Sequence, residues 1–65
     1  MRRAAYEAWV FAGTEVDTRR FENLIEARTW ASQYGEWMIL ERATMGWKAI
    51  LHGGERGAIA AGAMA

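Results

Sequence analysis

Apolar and polar residues alternate along this chain in two rhythms, and the change of rhythm marks its elements. From Asn23 to Gly35, Leu24, Ala27, Trp30, Ala31 and Tyr34 recur at helical spacing. At 100° per residue they form a stripe roughly 120° wide, with Glu26, Thr29, Ser32 and Gln33 opposite. Asn23 followed three residues later by Glu26 is the pattern of a capping box, which predicts the helix start. Gly35 stands where a left-handed C′ residue would end the helix. About three turns are marginal in isolation, so the stripe needs a partner.

The flanks supply one in period two. Ala5–Ala12 places Tyr6, Ala8, Val10 and Ala12 on one side and Glu7, Trp9 and Phe11 on the other. The small residues of the first side suit close approach by a helix, so that side is assigned to the core. Gly13-Thr14 reads as a hairpin turn. Glu15–Phe21 continues as a polar strand, suited to a sheet edge. Beyond the helix, the apolar run within Glu36–Arg42 reads as a central strand, Ala43–Gly46 as a turn and Trp47–His52 as a fourth strand.

The predicted fold is α+β: a two-layer ββαββ domain over residues 1–52, one helix packed on a four-stranded antiparallel sheet. Met1–Ala4 is read as a frayed basic lead-in. Residues 53–65, GGERGAIAAGAMA, are read as a flexible Gly/Ala-rich tail, the alternative being a helix over 58–64 formed on docking to a partner. One helix of this length has too little surface to cover Trp9, Phe11, Trp37 and Trp47 as well as its own stripe. An open apolar sheet face is therefore expected, of a size that marks an interface. Trp30 is assigned to the core.

Composition sharpens this picture. A 65-residue chain buries only about 60% of its unfolded surface, and with no Cys and one His it has neither a disulfide nor a set of metal ligands to brace it. Dense packing or self-association must compensate. A simple closed solution is a two-fold homodimer packed sheet against sheet, with Arg42 or Lys48 pairing to Glu7 or Glu41 at the rim. Eight basic and eight acidic residues give a net charge of zero, so no long-range field recruits nucleic acid or an anionic membrane. The start, Met-Arg-Arg-Ala-Ala-Tyr-Glu, lacks the apolar run of a signal peptide, and no stretch is long enough to span a bilayer. A cytoplasmic setting is the default.

Candidate chemistry is sparse. His52 stands alone at a strand end, Ser32 lies on the wet face of the helix, and no nucleophile and base come together in the pattern. No catalytic residue, cofactor or metal site is assigned, and the chain is read as non-enzymatic. The candidate interaction residues are Trp9, Phe11, Trp37 and Trp47 with Arg19, Arg20, Arg42 and Lys48 around them. Exposed aromatics flanked by arginine also serve single-stranded nucleic-acid binders, which supplies the competing reading.

The succession of a short hairpin, FENLIEARTWA, a WMILE strand, a turn and a WKAIL strand resembles small phage and mobile-element proteins, among them the small anti-CRISPR inhibitors. The resemblance covers residues 5–52 at the level of architecture and carries no functional residue across. It implies a stoichiometric inhibitor that binds and occludes a bacterial nucleoprotein complex.

Overall fold

The computed structural model describes residues 3–64; Met1, Arg2 and Ala65, which belong to the predicted lead-in and tail, lie outside the described residues. Strands β1 (Tyr6–Ala12) and β2 (Glu15–Phe21) precede helix α1 (Leu24–Ala31). Strands β3 (Trp37–Ala43) and β4 (Gly46–Gly53) and a second helix, α2 (Gly54–Ala63), follow. The strands form one antiparallel sheet in the order β2-β1-β3-β4, so the polar β2 is an edge and the apolar β3 is central.

Local chemistry explains the first half. Gly13, at φ 61°, turns β1 into β2 where a side chain would be strained. The Asn23 side chain accepts the Glu26 N–H at 2.8 Å, and its amide donates to the Glu26 carboxylate at 2.9 Å, fixing the start of α1. The helix ends earlier than Gly35. Ser32 N–H still reaches Arg28 C=O, after which Gln33 and Tyr34 donate to Trp30 and Ala31 in a tightening last turn. Those bonds satisfy the terminal carbonyls, and Gly35 has no positive φ.

The predicted stripe is the one that packs. Ala27 and Ala31 of α1 meet Ala8 and Val10 of β1 and Ile39 of β3, all 0% exposed. Their small volumes bring helix and sheet close, and Leu24, Trp30, Tyr34, Tyr6 and Phe21 ring the contact. Trp30 is at the margin rather than the centre: half-buried, its ring lies 5.8 Å from Phe21 and 5.6 Å from Tyr34. The lead-in is tied down where it is described, since Ala5 N–H donates to Phe21 and Arg42 donates to Ala4 and Ala5 carbonyls.

Two expectations are corrected. The segment read as a loose tail contains a ten-residue helix, so the order is ββαββα. The domain is also not two layers. Glu36 precedes Trp37, whose ring packs with the α1-side core, so the Glu36 side chain points to the opposite face; it is there that Arg56 N–H binds it at 2.8 Å. α2 thus crosses the sheet on the side away from α1, packed on β3 and β4. Its glycines make this possible. A Cβ on Gly57 would drive into the Trp37 carbonyl, and one on Gly54 would lie 2.6 Å from Glu36 Cγ. Poor helix propensity is offset here by main-chain contact that larger residues forbid.

Candidate interaction surface

Register partners in an antiparallel sheet share a face, so the pairing sorts the candidate residues. Trp9 pairs with Thr18 and Met38, Phe11 with Val16, Glu7 with Arg20 and Leu40, and Arg42 with Trp47. Trp9, Phe11, Trp47, Arg20 and Arg42 therefore lie together on the α2 side. The other three lie on the α1 side: Trp37 and Lys48 pair with Val10 and Glu41, and Arg19 pairs with Ala8.

The separation of Trp47 from its neighbours has a specific cause. Ile39 pairs with Leu51 but Leu40 pairs with Ala49, so Ile50 is an unpaired bulge residue. The bulge shifts the alternation of β4 midway, turning Leu51 to the α1 core and Trp47 and Ala49 to the other face.

The α2-side face is not the bare aromatic patch expected. Trp9, Phe11, Trp37 and Trp47 are all half-buried. Trp37 lies over Gly53, where a Cβ would come within 2.5 Å of its ring. Trp47 is overlain by two guanidiniums, with Arg42 at 4.5 Å and Arg20 at 5.3 Å from its ring centroid. Since β2 and β4 are opposite edges, Arg20 and Trp47 meet only by reaching inward over Glu7 and Leu40. Leu40, on β3 between them, is 2% exposed.

Glu7 anchors this cluster. Its carboxylate accepts Trp9 Nε1 and Arg20 Nε, each at 2.8 Å. Burial pushes the Glu7 carboxyl up, but hydrogen bonds from Arg20 and Trp9, with the Arg20 and Arg42 charges, hold it below the ordinary carboxylate range. Of the rim charges that a face-to-face dimer would use, Glu7 is engaged by Arg20 and Arg42 by Ala4 C=O and Trp47, while Glu41 and Lys48 lie on the far face.

At the hairpin end the same face is closed by Arg56. Its Nε binds Glu36 at 2.7 Å, and its two terminal nitrogens donate to Gly13 and Phe11 carbonyls. The Arg56 N–H and then its side chain hold the Glu36 carboxyl below its usual value. Ile59 lies one helical turn beyond Arg56 on the same flank of α2. It is 65% exposed, and Val16, across from Phe11 on β2, is 53% exposed.

Val16, Ile59 and Arg56 were not among the candidates from sequence, and Glu7 was read there only as a rim charge pairing across a dimer. Val16 was hidden in a polar strand and Ile59 in the glycine-rich segment, while the two charged anchors depend on long-range pairing. Among the described residues no three His, Cys, Asp or Glu side chains gather as metal ligands, and no helix is long and apolar enough to cross a membrane. Comparison with protein-family models, curated proteins and solved structures finds no match.

Proposed function

We propose that the protein is a non-enzymatic protein-binding module acting in the cytoplasm, and that it binds through the strip of sheet beside α2. One observation carries this reading: Val16, more than half exposed, lies across from the half-buried Phe11 on the sheet face away from α1, and Ile59 of α2, the helix packed on that same face, is more than half exposed as well. An apolar strip bordered by Arg20, Thr18 and Arg56 has the composition of a small interface, aromatic at its centre and polar at its rim.

The nucleic-acid reading is weaker on this geometry. Stacking a base needs a free ring face, whereas Trp47 already carries two guanidiniums. In its most specific form the proposal follows the resemblance to phage inhibitors, with a bacterial CRISPR-type nucleoprotein complex as the occluded partner.

Expression in a bacterium with an active CRISPR system tests that form: wild-type protein should restore transformation by a targeted plasmid, and Val16→Asp/Ile59→Glu should not. Both substitutions are at exposed positions, and an unchanged thermal melt will confirm that the fold persists. Equal transformation with either protein refutes the surface. A salt-dependent mobility shift with a mixed oligonucleotide, unaffected by the two substitutions, would transfer the assignment to nucleic acid.

A further inference from the structure

The outer edge of β2 shares Val16, Thr18 and Arg20 with the strip beside α2, and its main chain has a property that the reading above does not use. Phe11 N–H donates to Glu36, and Ala5 C=O accepts from Arg42, so the odd-numbered residues of β1 turn their main chain toward β3. The even-numbered residues turn toward β2, where their partners are Phe21, Arg19, Asp17 and Glu15. In an antiparallel ladder the residues between those partners, Val16, Thr18 and Arg20, point their N–H and C=O groups out of the sheet. All three are exposed.

An antiparallel second copy must therefore pair Val16, Thr18 and Arg20 with the same set, which restricts a two-fold register to centres at Asp17, Thr18 or Arg19. The first sets the two Asp17 carboxylates against each other at the axis itself, with Glu15 opposite Arg19 on either side, and the last sets two Arg19 guanidiniums against each other at its axis. The centre at Thr18 sets Asp17 opposite Arg19 at both ends, Thr18 opposite Thr18, and Val16 opposite Arg20. Like charges across a sheet are destabilising, while opposite charges and Thr–Thr pairs are favourable.

Charged side chains usually protect an edge strand from other chains. Here the signs are segregated along the strand, with Glu15 and Asp17 first and Arg19 and Arg20 after, so an antiparallel copy meets its own complement. Arg19 is held over Trp30 at 4.9 Å, on the face that Asp17 shares.

We propose that two copies associate through β2, in antiparallel register centred on Thr18, to give one continuous sheet. Sedimentation velocity of the full chain over a concentration series tests this, with a wild-type dimer expected at low ionic strength that weakens as salt is added. Asp17→Arg alone and Arg19→Asp alone should each weaken it by about tenfold or more, since each converts both cross-strand pairs to like charges. An equimolar mixture of the two variants should restore a dimer, because every pair is then complementary. Thr18→Pro should dissociate the dimer while far-UV circular dichroism stays native, since it removes an N–H that the β1 ladder does not use. Wild-type monomer throughout, a dimer indifferent to these changes, or single variants that fail to recover on mixing would each overturn the proposal.

Discussion

Replacing Gly57 with alanine sets two well-characterised effects against each other. In an exposed helix the change is favourable by about 1 kcal/mol, because alanine is the best helix former and glycine among the worst. At this position the added Cβ would collide with the Trp37 carbonyl oxygen and sit 3.0 Å from its carbon and 3.1 Å from the Trp37 nitrogen. Those atoms belong to a central strand hydrogen-bonded on both sides, so no side-chain rotation can relieve the contact and α2 must move outward. Overpacking of this kind costs about 1–3 kcal/mol, and displacing α2 also strains the Arg56 contacts to Glu36, Phe11 and Gly13. The net expectation is a loss of about 1–2 kcal/mol, which lowers the melting temperature of a domain this size by about 5–15 °C. Gly62→Ala is the control: nothing lies within 4 Å of its Cβ, so the same substitution in the same helix should raise stability by up to about 1 kcal/mol. Urea and thermal melts of the two variants beside the wild type give the signs directly. If Gly57→Ala melts at or above the wild type, α2 does not rest on the main chain of β3.

Three further outcomes are expected. Asn23→Ala should lower stability by about 1 kcal/mol in a urea melt, because it leaves the Glu26 N–H without its acceptor; an unchanged midpoint would deny the cap its role. Trp30→Ala should cost roughly 2–3 kcal/mol, less than the loss of a fully buried tryptophan, since the ring is half-buried beside Phe21 and Tyr34, and a midpoint shift under about 1 kcal/mol would place the ring outside the core. Arg56 lowers the Glu36 carboxyl below its ordinary 4.5, so the unfolded chain takes up the proton first as pH falls. The stability that Glu36 contributes is therefore complete above about pH 4.5 and is lost as pH drops through the lower folded value; Glu36→Gln should flatten that part of an acid-melting profile, and an identical profile would refute the linkage.

Much of the first half of the fold was legible because local and long-range signals agree there. The Asn23 cap, the stripe ending in Tyr34 and the small residues Ala8, Ala27 and Ala31 all predict the same helix on the same side of β1. The polar edge and the apolar centre were readable from composition alone. α2 was not, because glycine normally argues against a helix, and only contact with the Trp37 main chain converts Gly57 from a weakness into a requirement. The spacing of Gly57 and Ala61 was the faint signal available, two small residues one turn apart on one side of the helix.

The interaction surface was harder to read than the fold for a geometric reason. Trp9, Phe11, Trp37 and Trp47 were assigned by area, on the premise that one helix cannot cover them. That premise omitted α2 and also omitted arginine, whose long stems and flat heads cover Trp47 from the neighbouring β3 and from β2 at the opposite edge. The bulge at Ile50 then separates residues that simple alternation would place together, so Trp47 and Leu51 face opposite ways although an even number of positions divides them. What remains exposed is aliphatic rather than aromatic, and Val16 lies on the strand whose charges had marked it as protected. The order of those charges was visible in the sequence throughout. Its meaning depends on which residues of β2 turn their main chain outward, and that parity is set by the two-residue turn at Gly13 and the β1–β3 ladder rather than by β2 itself.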